Sequence, residues 1–116
     1  MVESSFDAAH QLEGHKGPCE NLHGHTWKVQ VHITGRSLNK MGMVIDFKKI
    51  KTVLASVVSK LDHKNLNDLA PFRKVNPTSE NVAKFVFDQL SGKIADLKRV
   101  TIFESPLTSA SYTEEE

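Results

Sequence analysis

The chain has 116 residues, 39% hydrophobic and 25% charged, a composition that fits one globular domain over residues 1–116 and leaves no room for two. Fifteen Lys and Arg against fourteen Asp and Glu give a net charge of +1, which argues against bulk nucleic acid as a partner. A single cysteine cannot form an intrachain disulfide, no apolar run approaches the roughly 20 residues that span a bilayer, and Met1-Val2-Glu3-Ser4-Ser5 lacks the features of a signal peptide, so a soluble cytoplasmic protein with no membrane partner is expected.

Phe6, Ala8 and His10 alternate on one face of a first strand, and a loop containing glycine and proline follows over residues 13–20. The clearest strand covers residues 23–33. Its odd positions read His23, His25, Trp27, Val29, Val31 and Ile33, and its even ones Gly24, Thr26, Lys28, Gln30 and His32. Period-2 alternation of that length predicts a strand with one buried face. Asp46 then caps a helix whose apolar stripe is Phe47, Ile50, Val53, Leu54, Val57, Val58 and Leu61. A polar connector over residues 62–76 leads to Pro77-Thr78-Ser79-Glu80, a hydroxyl N-cap with an acid in the first turn. Val82, Phe85, Val86 and Leu90 face the core from that second helix, and Gly92 stops it. Strands over residues 97–104 and 108–113 close the chain. The order β-β-α-α-β-β predicts an α+β fold, a four-stranded antiparallel sheet with both helices on one face. Its two open edges favour edge-to-edge oligomerisation.

The six histidines are sorted by strand parity. Residues i and i+2 share a face, so His23 and His25 project together and could chelate one ion, while His32 faces away and is excluded. Gly24 between them permits close approach, and His10 supplies a third nitrogen if the first two strands form a hairpin. Three histidines with no cysteine or carboxylate closing the shell have the pattern of a catalytic zinc site with an open fourth position. Two half-buried histidines bonded to backbone carbonyls would leave the same His-x-His spacing, and spacing alone does not separate these readings.

Cys19 lies four residues before His23, where a nearby cation would favour the reactive thiolate; a buried inert thiol is the alternative. In Asp62-His63 the carboxylate could orient the imidazole for acid–base work, although adjacent residues need not touch and a histidine after a helix is often a dipole partner. Glu104 ends an otherwise buried strand, suited either to accepting two parallel hydrogen bonds from a 2-amino-4-oxo ring edge or to plain solvation.

In chain order, Phe6-x-Ala8-Ala9-His10, Cys19-x-x-x-His23-Gly24-His25, Asp46-Phe47, Leu61-Asp62-His63-x-x-Leu66-Asn67, Pro77-Thr78-Ser79-Glu80 and Glu104 span nearly the whole sequence. This ordered set resembles the 6-pyruvoyl-tetrahydropterin synthase family, and within it the short 6-carboxy-tetrahydropterin synthase branch. The resemblance implies a tunnelling fold whose trimers close into a barrel and stack as a homohexamer. It implies Zn2+ on His10, His23 and His25, Cys19 as proton acceptor, His63 assisted by Asp62 as the partner acid/base, Glu104 as the pterin anchor, and Thr78 and Ser79 among the substrate-binding residues. The implied substrate is 7,8-dihydroneopterin triphosphate. The implied product is 6-carboxy-5,6,7,8-tetrahydropterin, a precursor of queuosine or archaeosine, or else 6-pyruvoyl-tetrahydropterin. Glu20 beside Cys19 resembles a branch that cleaves the side chain to 6-hydroxymethyl-dihydropterin, and is either a second general base or a loop carboxylate. Lys16, Lys28 and Lys64 are candidates for the triphosphate by proximity. A non-catalytic zinc- or pterin-binding module and a tunnelling-fold enzyme acting on another ring are the competing readings.

Overall fold

A computed structural model describes residues 1–14 and 21–114. Its elements are β1 (Val2–His10), β2 (His23–Ile33), α1 (Phe47–Val58), β3 (Lys64–Asn65), α2 (Ser79–Ser91), β4 (Leu97–Ser105) and β5 (Thr108–Thr113). The sheet order is β3-β1-β2-β4-β5. Four strands pair antiparallel as the alternation predicts. The sheet is nevertheless five-stranded and mixed, because Lys64 and Asn65 run parallel to Ala8 and Ala9 at the β1 edge. A two-residue strand is too short to leave a periodic signal, so the stretch read as a plain connector concealed it. Two single 3₁₀ turns, Leu66–Asp68 and Ala70–Phe72, follow.

One face of the sheet is apolar. Phe6, Ala8, Trp27, Val29, Val31, Val100 and Ile102 are buried there and meet Ile50, Leu54 and Val57 from α1 and Val82, Val86 and Leu90 from α2 in a single cluster. Both helices therefore cover the same face. Their starts are fixed by side-chain caps: Asp46 accepts from Lys48 N at 2.9 Å, and Thr78 accepts from Asn81 N at 3.1 Å. Phe47 departs from the predicted stripe. At the first helical position it is 61% exposed and lines a surface groove with Leu38, Met43 and Val44. Gly92 does cap α2, but with φ −79°, so glycine's left-handed freedom goes unused; Asp96 (φ 64°) supplies the turn into β4. No helix among the described residues is long and apolar enough to cross a membrane.

Candidate active site

The β1–β2 register places His10 opposite His23 and Ala8 opposite His25, so the three imidazoles rise from adjoining strands on one face. Their ring centroids are 4.6 Å (His10–His23), 4.7 Å (His23–His25) and 5.2 Å (His10–His25) apart. The floor beneath them is rigid. Trp27 is fully buried, packs edge-on against His10 at 4.7 Å and His25 at 5.6 Å, and donates its indole N–H to Ala8 O at 3.1 Å.

Backbone carbonyls fix the tautomers of two rings. A carbonyl only accepts, so Nδ1 must carry the proton where His10 meets Pro77 O and where His23 meets Asn21 O, each at 2.7 Å. In their neutral form both rings then present a bare Nε2 lone pair. The buried Nε2 atoms of His10 and His25 make no well-directed hydrogen bond and share the Glu104 carboxylate as a neighbour; a cation at their common focus would satisfy both. Burial also pushes the His10 pKa below its ordinary value; the Pro77 hydrogen bond and the Glu104 charge only partly oppose this. Burial thus favours the neutral ring, which is the form that ligates a metal.

A carboxylate stands beside the three imidazoles. Glu104 Oε1 lies 2.9 Å from His25 Nε2, 3.6 Å from His10 Nε2 and 4.0 Å from His23 Nε2, so four side chains could hold a metal ion. Parity along β4 puts Glu104 on the correct face, and the strand is irregular at that point. Phe103 pairs with Ser109 and Ser105 with Thr108, leaving Glu104 as the extra residue of a bulge. Its other oxygen accepts from Ser79 Oγ at 3.2 Å, at the start of α2. Of the two hydroxyls predicted for substrate, Ser79 borders this cluster and Thr78 is engaged in capping.

Asp62 and His63 do touch, Oδ2 to Nδ1, at 3.1 Å. Both are docked on β1: Asp62 Oδ1 accepts from Asp7 N at 2.9 Å, and His63 N donates to Asp7 O at 2.6 Å. The Asp7 N–H bond is the main reason the Asp62 carboxyl is held below its ordinary pKa. His63 sits at φ 57°, a left-handed conformation that aims its exposed ring outward. Asp7 was not anticipated as part of this corner, because it acts mainly through its peptide groups. His25 and His63 line one open cleft of 530 Å³, together with Asp7, Thr26 and Lys64. A second cleft of 390 Å³ runs from Thr26 past Lys28 and Phe103 to Glu104, and Thr26 is common to both. Cys19, Glu20 and Lys16 lie outside the described residues. His32 is absent from the histidine cluster, as parity required.

The family model for 6-pyruvoyl tetrahydropterin synthase matches residues 1–115. The chain belongs to that family. It is 39% identical to a putative 6-carboxy-5,6,7,8-tetrahydropterin synthase of Archaeoglobus fulgidus, over 90% of this chain and 85% of the relative. It is 38% identical to a dihydroneopterin monophosphate aldolase of Pyrococcus furiosus, over 90% and 87%. The solved 6-pyruvoyl tetrahydropterin synthase of Caenorhabditis elegans superposes with a TM-score of 0.90 at 33% identity, covering 98% of this chain and 93% of that one. These likenesses make the protein an enzyme of pterin metabolism in the synthase family, with the α+β architecture of its solved members.

Proposed function

We propose that the protein is a zinc-dependent lyase converting 7,8-dihydroneopterin triphosphate to 6-carboxy-5,6,7,8-tetrahydropterin, with acetaldehyde and triphosphate released. The observation that carries this is the focus of three imidazoles beside the Glu104 carboxylate, with His25 of that cluster and His63 lining one cleft. Carbon and oxygen balance with one water consumed: the three-carbon side chain leaves one carbon on the ring as carboxylate, whose second oxygen comes from that water, and two carbons as acetaldehyde.

His10, His23 and His25 are the ligands in this reading. Zinc held there supplies Lewis-acid polarisation of the substrate's side-chain oxygens. Pro77 O and Asn21 O keep two of the imidazoles in the ligating tautomer. Cys19 takes a side-chain proton as thiolate. His63, oriented by Asp62, returns or shuttles protons from the exposed side of the cleft. Glu104 accepts N–H bonds from the 2-amino-4-oxo edge of the pterin, with Ser79 holding its carboxylate. The whole chain acts as one cytoplasmic domain in a homohexamer, which would cover the open edges of β1 and β5.

A second reading has specific support. Glu20 follows Cys19 directly, and the aldolase relative is nearly as similar as the synthase relative. Glu20 would then serve as base for side-chain cleavage to 6-hydroxymethyl-dihydropterin. Zinc-replete protein incubated with 7,8-dihydroneopterin triphosphate, and separately with the monophosphate, decides between them by product mass. The carboxy product, abolished by Cys19→Ala with zinc retained, supports the main reading. A hydroxymethyl product abolished by Glu20→Gln replaces it, and no turnover of either substrate leaves a non-catalytic zinc or pterin binder.

A further inference from the structure

We propose that Lys28 is a specificity-determining residue that reads the 4-oxo group of the ring, completing an edge whose two donors go to Glu104; this rests on the reading of Glu104 as the pterin anchor. The β2–β4 ladder ends at the pair Lys28 and Phe103, and the 390 Å³ cleft opens at that end, lined by Thr26, Lys28, Phe103, Glu104, Ser105 and Pro106. A cleft of that size suits a bicyclic ring, and Phe103 and Pro106 give it apolar surface. Its two charged side chains are opposite in sign, one carboxylate and one ammonium. A 2-amino-4-oxo ring edge carries two N–H donors beside a carbonyl acceptor. A carboxylate only accepts and an ammonium only donates, so the pair matches that edge in full, whereas Glu104 alone leaves the carbonyl unread.

Elimination leads to the same side chain. The Thr26 hydroxyl donates to Asp7 Oδ1 at 2.6 Å, while Ser105 Oγ is bonded to Thr108 Oγ1 at 2.7 Å and accepts from Leu107 N at 3.3 Å. Of the side chains lining the cleft, Lys28 is the one whose donors are not engaged in a hydrogen bond among the described residues. Softer contacts hold its ammonium instead. Nζ lies 4.4 Å from the centroid of the Phe103 ring and 4.0 Å from Glu3 Oε1, which already accepts from Gln30 Nε2 at 2.9 Å. These contacts place the charge at the cleft and leave its N–H groups for a ligand. Phosphate is the other group an ammonium could take, yet one lysine sharing a cleft with a carboxylate is a poor site for a triphosphate. The negative charge that suits a neutral ring edge repels a polyanion.

Fluorescence titration of the zinc-loaded full chain with pterin and with 2,4-diaminopteridine tests the assignment, since the two differ only in the group at position 4 and the N3 proton that goes with it. Lys28→Met is expected to weaken pterin binding about tenfold and to leave the diamino ring unchanged or bound more tightly, because an ammonium offers a 4-amino group nothing to accept. Lys28→Arg keeps the donors and should retain most of the preference. The Lys28 side chain is 41% exposed, so both variants are expected to fold. Equal loss for the two rings, or no loss for either, overturns the proposal. A second pair of ligands separates ring from phosphate. Lys28→Met should weaken 7,8-dihydroneopterin and its triphosphate alike, and a loss confined to the triphosphate makes Lys28 a phosphate contact and overturns the proposal. Pterin binding that is lost in Glu104→Gln and unchanged in Lys28→Met also overturns it, with the proposed function left standing. Pterin binding that depends on Lys28 in a protein that turns over no dihydroneopterin phosphate does the reverse.

Discussion

Glu104 stands between two roles, and one substitution separates them. Its oxygens face the imidazoles on one side and Ser79 on the other. Glu104→Gln keeps size but can no longer accept two parallel N–H bonds. As a pterin anchor it should lose about 2 kcal/mol of charged hydrogen bonding, raising KM roughly thirtyfold with zinc retained. Zinc analysis beside steady-state kinetics checks this; loss of the metal with KM unchanged would make Glu104 a ligand instead. His63 offers a different kind of separation. Its left-handed backbone costs an L-residue about 1 kcal/mol, and its ring is mostly exposed. His63→Gly therefore relieves strain about as much as it adds chain entropy, so the melting temperature should hardly move. Turnover should fall by about 10² or more if the ring transfers protons. A variant that melts normally and turns over normally removes His63 from the mechanism.

The two helix caps are equivalent in stability and unequal in consequence. Asp46→Ala and Thr78→Ala each remove one cap hydrogen bond and should each cost about 1 kcal/mol in denaturant unfolding. The first turn of α2 also carries Ser79 against Glu104 and follows the Pro77 carbonyl that holds His10. Turnover should therefore drop in Thr78→Ala and stay near wild type in Asp46→Ala; equal effects would mean that the cap does not transmit to the site. Both caps were legible because their chemistry is local, a short polar side chain ahead of a periodic apolar run. The β1–β2 histidine cluster was legible for a similar reason, since parity and one hairpin register suffice to bring His10, His23 and His25 together. What escaped notice depends on partners far away in sequence. The two-residue β3 exists only because the β1 edge is there to receive it. The bulge at Glu104 arises from β5 pairing out of step. The Pro77 carbonyl and the Asp7 peptide group belong to no side-chain motif.

At the scale of the whole molecule, the histidine cluster couples metal, proton and stability. Zinc that binds the native chain and not the unfolded one should stabilise it by about 2.7 kcal/mol at a hundredfold excess over Kd, a rise of roughly 10 °C in melting temperature for a chain this size. Protons compete for the same sites. In the metal-free chain, burial holds the His10 pKa below 6.5, so the native state binds fewer protons than the unfolded state as pH falls through that value. The neutral ring's contribution is therefore fully present above 6.5 and is lost as pH descends toward the depressed folded-state pKa. Zinc-loaded protein has a further dependence, because three imidazoles must all shed protons before they can ligate. Melting curves taken from about pH 8 to about pH 5, with zinc and with a chelator, should show two trends. The chelated protein should lose stability on acidification, and the gap between the two curves should close over the same range. A gap that stays constant with pH would place the metal on groups other than these imidazoles, and two coincident curves would remove it from the fold.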